Sequence, residues 1–102
     1  AEKSENIRER VIKAREIQTK RFEENEGIHS NAMMSSTKVR EVCQITTAGQ
    51  ALLKTAMNRM QLSARAYDRI LKVARTIADL ETCEHINKNH IAQALSYRRI
   101  NP

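Results

Sequence analysis

The residues able to do chemistry in this chain are mostly cations. Lys54, Arg59, Arg65, Arg69, Lys72 and Arg75 fall in one stretch that holds a single acid, Asp68. At about 100° per residue, Arg65, Arg69 and Lys72 share one side of a helix. The opposite side carries Tyr67, Ile70, Leu71, Ala74, Ile77 and Ala78. A guanidinium binds phosphate or carboxylate oxygens through a planar fork and does not lose its charge. Arg65 is expected in the first turn of that helix. There the macrodipole disfavours a cation, while the free N–H groups favour an anion. An anionic partner would relieve the mismatch, and a solvated basic face is the other use of such a ridge.

Soft ligands form a second group. Cys83, His85 and His90 lie close in sequence, with Glu81 and Glu84 among them. Their spacing matches no common zinc pattern, so no metal is expected and capping or surface roles are assigned. Cys43 falls on the apolar side of a short helix and reads as a small core residue. Nothing supplies the cleft and orienting third group that Cys–His nucleophilic catalysis needs. Met57 and Met60 belong to a helical stripe and are expected in the core. Met33 and Met34 sit beside a loop, where a missing partner domain would cover them.

The elements that must position these groups are all helical. A chain of 102 residues with two glycines, and with Pro102 as its single proline, has few breakers. Aromatics at 3% make a β-sandwich or barrel improbable. Ser4 is read as the cap of a first helix running from about Glu5 to Glu23, braced by the i,i+4 pairs Glu9–Lys13 and Glu16–Lys20. Residues 24–34 read as an internal loop. Ser35 to Thr37 offer caps for a short helix through Val39, Val42 and Cys43. Thr47 and Gln50 form a capping-box pair for a helix from about Ala48. Ser63 caps the most regular helix, about Ala64 to Glu81, and Asn87 caps the last, which carries Ile91, Ala94 and Leu95. None could stand alone, so they imply one all-α domain over 1–102, a compact bundle of four to five helices.

Composition bounds the setting. Eighteen basic against twelve acidic residues give a net charge of +6. Residues 1–26 are balanced, seven against seven; residues 27–102 carry eleven against five and hold the whole excess. Such an excess favours a nucleotide, a nucleic acid or an acidic protein face. DNA binding by a freestanding basic helical module is therefore a serious rival reading, although Phe22, Tyr67 and Tyr97 provide few stacking platforms. No apolar run approaches the roughly 20 residues that span a bilayer. Two cysteines suit a reducing, cytoplasmic setting. A chain opening at Ala1 without Met is expected to be a piece of a longer protein.

The stretch Leu62–Leu80, LSARAYDRILKVARTIADL, resembles the C-terminal region of magnesium chelatase-related AAA+ ATPases of the competence-M type. HIAQALSYR at His90–Arg98 and IRERVIKAREIQTKR at Ile7–Arg21 also fit, so the resemblance covers nearly the whole chain. It implies the helical lid that follows a nucleotide-binding core. The magnesium chelatase I subunit and the MCM helicases carry a similar Arg at a helix start. That arginine is the sensor-2 residue on the γ-phosphate of ATP, a role that falls by position on Arg65. Arg69, Lys72 and Arg75 become possible phosphate, core or subunit-interface contacts. The resemblance further implies ATP and Mg²⁺ in the parent, its own AAA+ core as partner, a homo-hexamer, and DNA processing in competence or recombination. A magnesium chelatase-type metal-insertion subunit is the remaining alternative. No G-x-x-x-x-G-K-[ST] loop and no Walker-B acidic pair occur here, so this piece is not expected to be an enzyme, whereas the resemblance implies that its parent is an ATPase.

Overall fold

The computed structural model describes the backbone of residues 3–100 and the side chains of residues 3–97. Five α-helices follow one another: α1 Ser4–Arg21, α2 Ser36–Val42, α3 Thr47–Met60, α4 Ala64–Leu80 and α5 Lys88–Ile100. A short 3₁₀ turn, Asn31–Met33, interrupts the segment expected to be all loop.

Side-chain caps start most of these helices where the sequence places them. Ser35 Oγ accepts from the Lys38 amide, Ser63 Oγ from Ala66, and Asn87 Oδ1 from His90. Two boundaries differ from expectation. Ser4 is already helical, and Lys3 precedes it without a side-chain cap. Thr46, not Thr47, caps α3 by accepting from Gly49 N–H, because the preceding backbone is held by a short parallel bridge to the α4–α5 loop. There Thr46 N–H donates to Ile86 O and Ile86 N–H to Gln44 O, each at 2.9 Å. A Cβ on Gly49 would stand 2.8 Å from Ile45 Cγ2 and 3.4 Å from the Asn87 carbonyl carbon, so the bridge approaches α3 where a side chain would intrude.

The central element is α4. Its Ile70, Leu71, Ala74 and Ala78 are buried, as the apolar stripe requires. Around it pack α5, α1, α2 and the 3₁₀ turn, while α3 packs mainly on α5. Val39, Cys43, Leu53, Ile86, Ile91 and Ala94 fill the core between them. Phe22 closes α1 at 3% exposure. Met34 is 3% exposed, so the domain's own core covers it and no missing partner is needed; Met33 stays 49% exposed. Met60, expected in the core, is 40% exposed at the end of α3. The two pairs expected to brace α1, Glu9–Lys13 and Glu16–Lys20, do not close to ion-pair distance.

Candidate functional site: the basic ridge of α4

Arg65 stands in the first turn of α4 and is exposed. Among the described residues it makes no hydrogen bond or ion pair. Ser63 occupies the Ala66 amide with its hydroxyl and the Tyr67 amide with its carbonyl. The amides of Ala64 and Arg65 are left pointing out of the helix end. An exposed guanidinium and two unclaimed N–H groups therefore belong to the same first turn of α4. Nearby, Ser36 Oγ donates a short hydrogen bond to Asp68 Oδ2, while Asp68 Oδ1 is buried without a partner.

The ridge continues only in part. Arg69 is exposed. Lys72 is half-buried and donates to Ala32 O at 3.3 Å, tying α4 to the 3₁₀ turn. Arg75 does not belong to the ridge, which corrects the expectation that it contacts phosphate or a neighbouring subunit. It is 2% exposed. Its Nε donates to Asp79 Oδ1 at 3.1 Å, Nη1 to Glu84 O at 2.7 Å and Nη2 to Cys83 O at 2.5 Å. The helical period places it three residues past Lys72, at the edge of the polar side. The chain leaving α4 then folds back over it, a turn that residue spacing does not disclose.

Asp79 joins Arg75 to a second arginine that the sequence did not single out. Arg21 reaches both Asp79 oxygens at 2.8 Å, a bidentate pair across 58 positions of sequence. Asn31 Nδ2 donates to Asp79 Oδ2 and Thr76 Oγ1, and Asn31 Oδ1 accepts from Arg21. Gln18 Oε1 accepts from the Asn31 amide. Buried charge demands such pairing, and this network fastens the end of α1, the 3₁₀ turn and α4 to one another. Cys43 lies close enough to feel it. Burial pushes the thiol pKa from 9.0 up to about 11, partly opposed by the positive charges of Arg75 and Arg21.

Of the soft-ligand group, the fold brings together Glu81, Cys83 and His90, whose donor atoms lie within 4.8 Å of one another, and leaves out His85. His90 is fully buried, not on the surface. The Asn87 amide donates to its Nδ1 at 3.0 Å, so the ring proton resides on Nε2 and is donated to Glu81 Oε1 at 3.1 Å. A metal would need the Nε2 lone pair, which this tautomer does not offer. Asn87 and His90 thus cap each other reciprocally at the start of α5, as a Ser/Glu capping box does.

Comparison with known proteins adds to this geometry. The family model described as "Magnesium chelatase, subunit ChlI C-terminal" matches residues 1–98. Competence protein ComM of Haemophilus influenzae is 42% identical over 97 residues, covering 95% of this chain and 18% of that protein. YifB of Escherichia coli is 38% identical over 99 residues, or 97% of this chain and 19% of its own length. Rv2897c of Mycobacterium tuberculosis is 35% identical over 98 residues, again 19% of its length. The chain therefore spans under a fifth of these relatives.

Proposed function

Because the chain belongs to the magnesium chelatase ChlI C-terminal family, we propose that it is the lid of an AAA+ ATPase and that Arg65 is its nucleotide-sensing residue. Arg65 carries the reading. It is the ridge cation in the first turn of the central helix, is exposed and has no partner among the described residues. A γ-phosphate would satisfy both the guanidinium and the two amides beside it. Charge neutralisation would then pull the lid towards the nucleotide, and hydrolysis would release it.

ATP and Mg²⁺ are assigned to the longer protein, with the phosphate loop and the acidic strand in the part of it outside this chain. Arg69 offers a second exposed cation on the same side, and Lys72 a weaker one because it is already committed to Ala32 O. The ring of six subunits, the cytoplasmic location and a role in DNA processing complete the reading. The name competence protein, borne by the H. influenzae relative, supports the last of these.

The test is Arg65→Ala in the full-length ATPase. ATP turnover should fall on the order of 10²-fold, as when a positioned transition-state donor is removed. Unfolding of the 102-residue domain should change by less than about 0.5 kcal/mol, since the side chain is exposed. Unchanged ATP affinity and turnover would remove the sensor role. Duplex DNA titrated into the domain separates the rival reading: micromolar binding with a steep salt slope would mark a DNA-binding module in its own right.

A further inference from the structure

The start of α5 is fastened by a ring that can change its charge. His90 is fully buried, and its Nδ1 accepts from the Asn87 amide at 3.0 Å. The His90 amide donates in return to Asn87 Oδ1 at 3.1 Å. A capping box closes the first of these bonds with Glu or Gln, whose oxygen stays an acceptor at neutral pH. An imidazole stays one only while neutral. With Nε2–H already given to Glu81, a further proton can be placed only on Nδ1. There it would face the Asn87 N–H, donor against donor, and each would lose its partner beside a ring that water does not reach.

The charges around the ring do not remove this conflict. The elements packed on α5 are α4 and α3. From the end of α4 come Glu81 Oε1, 3.1 Å from Nε2, and the Cys83 thiol within 4.8 Å. The Glu81 side chain is 49% exposed and already accepts from the neutral ring, so charging the ring adds an attraction that water screens. In the same turn Arg75, paired with Asp79, donates to the Cys83 and Glu84 carbonyls. The charged residues of α3 are the exposed Lys54 and Arg59, and α5 carries the exposed Lys88 two residues before the ring. Glu9, Arg10 and Lys13 of α1 share a cleft with Glu81. His29 and His85 are exposed and make no hydrogen bond among the described residues, so a proton on either breaks none.

We propose that the Asn87–His90 cap is a proton-operated latch, closed while the ring is neutral and opened when the ring takes a second proton. The latch reaches beyond α5. Ile86, one residue before the cap, bonds through its backbone to Gln44 and Thr46, and the Asn87 carbonyl carbon lies 3.4 Å from where a Cβ on Gly49 would stand. Opening therefore loosens the first turn of α5 and the start of α3 together. It does not depend on the role of Arg65, which stands at the other end of α4. A solvated imidazole titrates near about pH 6.5, so the latch holds fully above that pH and weakens as pH falls through it.

Amide hydrogen exchange of the 102-residue chain, read residue by residue, tests this. If the ring is charged only when the latch is open, the open fraction grows about tenfold between about pH 7.5 and about pH 5.5. Protection factors at Asn87, His90 and Ile91 should fall by that factor. At both pH values these amides should exchange faster than those of Leu71 and Ala74, because the latch opens without unfolding the core. His90→Gln keeps an acceptor for the Asn87 amide and cannot titrate, so its protection should stay level. Glu81→Gln should retain the fall, because the conflict lies at Nδ1. Level protection in the native chain would overturn the proposal, as would an equal fall in His90→Gln or no fall in Glu81→Gln. So would exchange no faster at the start of α5 than in the core of α4, or a ¹⁵N signal showing Nδ1 protonated while the Asn87 amide stays protected.

Discussion

Arg65 and Arg75 stand on one helix in opposite surroundings. At Arg65 water screens the charge and the guanidinium stays available to an anion. At Arg75 the same group is buried and must be neutralised on the spot, which Asp79 and two backbone carbonyls accomplish. Burial also sets the chemistry of Cys43. Its thiol is held protonated, with a pKa raised from 9.0 to about 11, so the folded state binds that proton more tightly than the unfolded chain does. The stabilisation is complete below pH 9 and is lost as pH climbs towards 11. Thermal melts across that window should therefore decline more steeply for the native chain than for Cys43→Ala. An equal decline in both would show that the thiol is not what titrates.

Helix ends decide how these residues are delivered. Ser63 fixes the start of α4 and so the place of Arg65. The preceding helix ends less comfortably, with Gln61 at φ 49°, in the left-handed region that glycine adopts without penalty. Its exposed side chain makes no hydrogen bond, and the Leu62 amide returns to Met57 O whatever residue stands there. Gln61→Gly should therefore stabilise the domain by about 0.5–1 kcal/mol, the relief of left-handed strain less the extra chain entropy of glycine. For a domain of this length that amounts to a rise of about 2–8 °C in Tm by calorimetry. The α1 helix shows the limit of local rules. Its i,i+4 pairs were legible as spacing and still do not close, because solvated side chains gain little by pairing.

At the scale of the molecule, α1 owes its place to the polar network more than to apolar packing. Ala14 is its single buried residue. Arg21 supplies the rest by clamping Asp79, with Asn31 between them. Asp79→Ala would leave Arg75 buried without a counter-charge and Arg21 without its anchor. Urea unfolding should show a loss of about 3–5 kcal/mol, a large share of the roughly 5–15 kcal/mol that holds a typical domain together. A loss below about 1 kcal/mol would show that the network is dispensable. Arg21 and Asp79 were unreadable as partners because they are 58 positions apart, and any of eighteen cations could have met that acid.

The sequence alone determined what depends on near neighbours: an all-helical chain, the helix caps at Ser35, Ser63 and Asn87, the apolar stripe of α4 and the exposed place of Arg65. Each follows from hydrogen bonds and periodicities that span only a few residues. Tertiary structure alone decided which polar side chains would lose contact with water. It turned Arg75 inward, withdrew His90 into a cap, covered Met34 and left α3 standing off α4. Burial is settled by where distant segments return, and the energy of a charge changes most when water is removed from it.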